Sequence, residues 1–159
     1  MLRLSKLTDY GIMLLVYMAN EEQEKNQTST HLARLSDVPT PTASKILKIL
    51  AKAGIVQAHR GKLGGYQLAR PATEITVADM IEAMEGPLAI TECSGGAEVS
   101  CEFESGCPTQ KNWKRINRAV VGALEGLTLA DMDRPDSWGM EAELGDSRLE
   151  VLPSKRSLG

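Results

Sequence analysis

The sequence predicts a mainly α-helical protein with one small β-hairpin, ordered as a winged helix-turn-helix followed by a long helix. Three observations predict it. Apolar residues recur at helical spacing in three segments before about Ala53, the last two separated by a proline-framed turn. The period then changes to short extended runs around a glycine-rich tip. A long amphipathic stretch returns after a segment that holds all the cysteines.

The first helix is expected from about Thr8 to Ala19, with Thr8 as cap and Asp9 at the positive end of the helix dipole. Leu7, Tyr10, Leu14, Tyr17 and Met18 would face the core. Glu21 to Asn26 is charged, aperiodic and reads as a loop. A short second helix follows Thr28 or Ser29 and covers His31 to Leu35, burying Leu32 and Leu35. Ser36-Asp37-Val38-Pro39 is a turn. Pro39 and Pro41 frame the start of a third helix, because proline is tolerated only in a helix's first turn. Ile46, Ile49, Leu50 and Ala53 form its apolar face, Lys45, Lys48 and Lys52 a basic stripe, and Gly54 its stop. Ile55 to Arg60 and Tyr66 to Ala69 are short strands joined by Gly61-Lys62-Leu63-Gly64-Gly65. Thr76 caps a helix over Val77 to Glu85, which Gly86-Pro87 ends. Its apolar side is Val77, Met80, Ile81 and Met84. The long helix spans about Thr109 to Leu124, with a seam of Trp113, Ile116, Val120, Ala123 and Leu124. Thr128 caps a last turn, Leu129 to Met132.

The expected divisions are a winged helix-turn-helix unit over 1–87, a cysteine loop over 88–108, a long helix over 109–132 and a disordered tail over 133–159. In 159 residues that is one compact domain with appendages. The core must be aliphatic and Met-rich, since the chain has Trp 2, Tyr 3 and Phe 1 but Met 7. No run approaches the roughly eighteen apolar residues of a membrane span, and no signal-peptide pattern opens the chain, so a cytoplasmic protein without membrane partners is expected. Three cysteines make a disulfide framework an unsuitable reading.

The net charge of -3 conceals a split. Residues 1–70 carry ten Lys/Arg against five Asp/Glu, and residues 71–159 carry eight against sixteen. A basic first half on an acidic chain suits one face turned to a polyanion. In a winged helix-turn-helix the second helix of the pair enters the major groove, its N-terminal residues on base edges. Here that end supplies Thr40, Thr42, Ala43, Ser44 and Lys45, whose short hydroxyls and methyl permit close approach. Lys48 and Lys52 lie farther along, toward phosphates. The wing adds His59, Arg60 and Lys62, and the backbone at the tip, including Gly64, can approach a phosphate. The plainer alternative is a solvated lysine face and a simple turn; the ordered set favours double-stranded DNA. His31 and His59 read as surface residues rather than metal ligands.

Cys93, Cys101 and Cys107 have seven and five residues between them. Zinc sites use tighter cysteine pairs and four protein ligands. Three widely spaced thiolates suit an iron–sulfur cluster with a fourth ligand from elsewhere, although the spacing is not a familiar cluster run. Three incidental thiols remain open on residue type alone. A thiol oxidoreductase would need a Cys-x-x-Cys pair, which the sequence lacks, so an enzyme is not expected.

The opening Leu2-Arg3-Leu4-Ser5-Lys6-Leu7-Thr8-Asp9-Tyr10-Gly11 resembles the start of the Rrf-type winged-helix regulators, which include iron–sulfur sensors of the IscR type and nitric-oxide sensors of the NsrR type. So do Leu50-Ala51-Lys52-Ala53-Gly54-Ile55-Val56 and Arg60-Gly61-Lys62-Leu63-Gly64-Gly65-Tyr66. Asn112 to Ala119 and Leu127 to Met132 are most similar to the subgroup that regulates SUF iron–sulfur assembly operons. The resemblance covers about residues 1–132. It implies a homodimer through the helix around Trp113 to Leu124, an operator read by two recognition helices and two wings, and a cluster, 2Fe–2S or 4Fe–4S, held by Cys93, Cys101 and Cys107. IscR-type members place a histidine three residues after the last cysteine, where this chain has Gln110. NsrR-type members use an aspartate of the partner's first helix, and Asp9 matches it. Asp9 is therefore the expected fourth ligand, with Gln110 or an exogenous small ligand behind it, beside its plain reading as a helix-start residue. The functional expectation is a cluster-sensing repressor of SUF genes. A nitric-oxide or redox-responsive regulator, or a zinc-stabilised DNA-binding protein, is the alternative.

Overall fold

Ser5 starts the first helix, because its hydroxyl accepts the Thr8 amide at 3.2 Å and its carbonyl accepts the Asp9 amide at 3.1 Å. In the computed structural model, which describes residues 4–20, 26–91, 94 and 107–132, helix α1 runs Lys6–Asn20. Thr8, expected as the cap, lies inside α1 and is fully buried. Leu14, Leu15 and Met18 are the deepest of its apolar residues, while Leu7, Tyr10 and Tyr17 only flank the core.

Thr28 caps α2 (Ser29–Ser36), its hydroxyl accepting the His31 amide at 3.1 Å. Leu32 and Ala33 are its buried side; Leu35 is half-buried. Asp37 ends α2 with a left-handed φ of 56°, a conformation that a short polar side chain tolerates. The chain then turns through buried Val38 into α3 (Thr40–Lys52), with Pro41 in the first turn. Ala43, Ile46, Leu47 and Leu50 face inward. Ile49 and Ala53, expected in the core, are half-buried and exposed. Gly54 follows with φ 76°.

Strands β1 (Val56–His59) and β2 (Gly65–Leu68) pair antiparallel, Val56 opposite Leu68 and His59 opposite Gly65. The hairpin is also tied to the segment before α2. Gln27 and Tyr66 exchange two backbone hydrogen bonds, each 2.8 Å. That close pairing explains Gly65, where a Cβ would lie 2.7 Å from the Gln27 carbonyl oxygen.

A single 3₁₀ turn, Ala72–Glu74, leads to α4 (Val77–Glu85). The Thr76 hydroxyl accepts the Asp79 amide at 3.0 Å and the Asp79 carboxylate accepts the Thr76 amide at 3.1 Å, a capping box. Helix α5 spans Gln110–Glu125, and α6 (Leu129–Met132) returns the chain to the core. Thr128 caps α6 as expected, its hydroxyl accepting the Asp131 amide at 3.3 Å. The two caps lie side by side: Val77 donates to the Leu127 carbonyl and Leu129 to the Ile75 carbonyl, both at 2.8 Å. Leu129 is fully buried. The segment 109–132 thus divides into a helix on the surface and a short return into the core.

The core lies where α1, α2, α3, α4 and α6 meet, built on Leu14, Leu15, Leu32, Ile46, Leu47 and Met80. It is aliphatic and methionine-containing, as composition requires; among the described residues no aromatic side chain is fully buried. No described helix is long and apolar enough to cross a membrane. The tail 133–159 lies outside the described residues.

Candidate DNA-reading face and cysteine segment

The helix-turn-helix geometry divides α3 lengthwise. One side enters the core; the other carries Thr40, Lys45, Lys48 and Lys52, all exposed. Pro41, Ser44, Lys45, Lys48, Ile49 and Lys52 line a shallow open depression along it. The cations therefore share one face, while Thr42 and Ser44 sit half-buried at its N-terminal end. Ala43 does not belong to this face. It is fully buried, because position 43 falls on the inward row with Ile46, Leu47 and Leu50, and no base edge can reach it.

The wing brings His59, Arg60 and Lys62 to the surface. Gly64 has a different role from the phosphate contact expected of it. Its amide donates to the Gly61 carbonyl at 3.0 Å, so it closes the turn instead of facing outward. A Cβ there would lie 2.4 Å from the His59 carbonyl oxygen, so only glycine fits.

The cysteine segment is described only in part; Cys93 and Cys101 lie outside the described residues. Cys107 is half-buried immediately before α5. Its Sγ lies 3.3 Å from Thr109 Oγ1. Hydrogen bonding from the Thr109 side chain, then from the Thr109 and Gln110 backbones, holds the thiol below its usual pKa range, against a smaller opposing effect of burial. A hydrogen-bonded thiol just ahead of a helix is a ligand type that a soft metal ion or cluster takes. Asp9 is exposed in the first turn of α1. Among the described residues no cluster of three metal-binding side chains forms, and Asp9 and Cys107 are the two expected ligands that can be placed.

Two side chains that sequence reasoning missed fasten this region. Asn117 of α5 accepts the Ile90 amide at 2.9 Å and donates to the Leu88 carbonyl at 3.2 Å, holding the approach to the cysteine loop against α5. Glu85 Oε1 accepts the Ser5 amide at 2.7 Å and the Thr8 hydroxyl at 2.6 Å, so the end of α4 holds the start of α1. These bonds lower the Glu85 pKa, the Thr8 hydroxyl most. Asparagine inside a helix is a poor helix former, which was a readable signal for Asn117. Nothing in the spacing of Glu85 announced Ser5 and Thr8.

Helix α5 buries none of its residues. Trp113, Ile116 and Val120 of the expected seam are exposed by 37%, 45% and 37%. Between α5, the end of α4 and residues 86–90 lies a groove of about 520 Å³ lined by Leu4, Ile81, Leu88, Ile90, Val120 and Leu124 among others.

A family model described as Rrf2, iron-dependent transcriptional regulator, matches residues 4–134. The chain belongs to the Rrf2 family. It is therefore a transcriptional regulator of winged-helix fold and not an enzyme. This Rrf2 protein is 34% identical over 131 residues to protein aau3 of Rhizobium meliloti (strain 1021), covering 82% of this chain and 84% of that protein. Its structure is similar to CymR (YrzC), the global cysteine regulator of B. subtilis, with TM-score 0.65 and 28% identity over 84% of this chain and 97% of that one. It is also similar to T. potens IscR, with TM-score 0.60 and 27% identity over 82% and 85%.

Proposed function

We propose that this Rrf2 regulator is a homodimer that binds operator DNA through α3 and the wing, responds to an iron–sulfur cluster, and represses SUF iron–sulfur assembly genes. The observation that carries the reading is the single exposed face of α3 that holds Lys45, Lys48 and Lys52; Cys107, whose Sγ lies 3.3 Å from Thr109 Oγ1 just ahead of α5, supports the cofactor. Cys93, Cys101 and Cys107 would hold the cluster, and Asp9 of the partner's α1 would complete its ligands. A bound cluster supplies a site that iron limitation or oxidants remove. The protein's own residues make that loss matter. Asn117 links residues 88–90 to α5, and Glu85 links α4 to α1, the helix packed against α3. A difference in operator affinity between cluster-bound and cluster-free forms, worth about 1–3 kcal/mol, is the expected output. The exposed Trp113, Ile116 and Val120 support the dimer, since a helix of this kind gains from a second copy.

Anaerobic purification tests the cofactor. The expected protein is brown, with iron and sulfide in comparable amounts, and Cys101→Ala loses the colour while staying dimeric. A colourless protein carrying stoichiometric zinc overturns the reading. The partly exposed Cys107, hydrogen-bonded to Thr109, also favours a second one, a regulator that reports thiol oxidation directly, in line with the similarity to a cysteine regulator. In that case a colourless, metal-free protein changes its DNA affinity on mild oxidation, and Cys107→Ser abolishes the change.

A further inference from the structure

We propose that Leu63 is an apolar wedge that the wing presses into the minor groove of DNA at a flexible pyrimidine–purine step. The inference rests on the DNA-binding reading above and adds the contact that the wing makes. Leu63 is 87% exposed, far more than the other large exposed apolar side chains among the described residues. Those others lie elsewhere in the fold: Leu4 and Val120 line the groove beside the end of α4, and Trp113 and Ile116 are on α5, which packs on α4, whereas the hairpin packs on α3 and α1. Leu63 therefore forms no patch with them of the kind a protein partner would cover. Its neighbours in the hairpin are the exposed cations Arg60 and Lys62. An isolated leucine beside positive charges matches a surface with phosphates at its rims and an apolar slot of sugars and base edges between them.

The tip is also held in place. The Asn26 side chain donates from Nδ2 to the Leu63 carbonyl at 3.0 Å. Gly64 closes the turn onto Gly61, and the Gln27–Tyr66 pair fixes the hairpin's base. Leucine on a floppy loop would fold back onto apolar surface; on this braced loop it is presented outward. Wedges of this kind unstack a base step, and pyrimidine–purine steps unstack most readily. Leu63 would thus add sequence preference where no hydrogen bond reads a base.

The test uses full-length protein and the short duplexes that it selects from a random-sequence pool, with 2-aminopurine placed at steps facing the wing. Leu63→Ala is expected to bind the selected duplex about tenfold more weakly, the order expected for losing most of a leucine's burial. The salt dependence should be unchanged, the 2-aminopurine signal should fall, and the step preference should be lost on reselection. Leu63→Met should restore most of the affinity, and thermal melting should be unaffected in both. Lys62→Ala should instead reduce the slope of affinity against salt. Leu63→Ala binding within twofold of the parent, with the same selected steps, overturns the wedge and leaves the DNA-binding reading standing. An equal loss on every sequence with a shallower salt slope also overturns it, because the leucine would then act through the backbone contacts. If the parent protein selects no duplex, both readings fall.

Discussion

Glu85 offers a prediction whose size follows from geometry. One carboxylate oxygen accepts the Ser5 amide at 2.7 Å and the Thr8 hydroxyl at 2.6 Å, and Thr8 is fully buried. A hydrogen bond to a charged acceptor is worth about 1.5–3 kcal/mol when shielded from water. The Glu85 carboxylate is exposed, so each bond is discounted to about 0.5–1 kcal/mol. Glu85→Ala should then destabilise by about 1–2 kcal/mol, lowering Tm by roughly 2–8 °C. A double-mutant cycle with Thr8→Val isolates the shared bond and should give a coupling of about 0.5–1 kcal/mol. The carboxyl pKa is lowered in the folded protein, so its stabilisation is fully present above the ordinary unfolded value of a glutamate. It is lost as pH falls through the folded value, and the coupling should vanish with it. Denaturant titration by circular dichroism, at one protein concentration because dimerisation would add to stability, measures all of this. A coupling below about 0.3 kcal/mol at neutral pH, within the error of additivity, refutes the bond as an energetic link between α4 and α1. So does a coupling that persists in strong acid.

Ile116→Asp should convert a dimer to a monomer in sedimentation while leaving helical content intact, because Ile116 is 45% exposed within one chain. Gly65→Ala would place a Cβ 2.7 Å from the Gln27 carbonyl oxygen; breaking that close pair should cost about 1–3 kcal/mol and speed hydrogen exchange at Tyr66. Lys48→Ala should weaken binding to every sequence and reduce the salt slope by about one, whereas Lys45→Ala should weaken the selected operator most.

Much of the fold was legible because local signals agreed with tertiary demand. Thr28, Thr76, Pro41 and Gly54 mark helix ends by chemistry that holds in any context, and each stands where expected. The first cap was misread because both Ser5 and Thr8 can cap, and only the fold shows Thr8 turned inward to Glu85. Ala43 was misplaced for a related reason. A small residue among hydroxyls suits a groove, but it suits a close helix–helix contact equally, and the helical phase decides. Gly64 and Gly65 were readable as turn residues, while the partner backbone that excludes a side chain at Gly65 comes from Gln27, distant in sequence. The α5 seam was legible as apolar, and its exposure needed the fold. Asn117 and Glu85 act across long sequence separations, which no spacing rule reaches.

A cluster-sensing regulator must hold its operator differently when the cysteine site is filled and when it is empty. The direct measurement is operator affinity of one anaerobic preparation before and after chelation of its iron, on a fragment upstream of SUF assembly genes, at fixed salt. The two forms should differ in affinity by about fivefold or more, the lower end of typical allosteric coupling. Equal affinities, with iron loss verified by analysis, would contradict it.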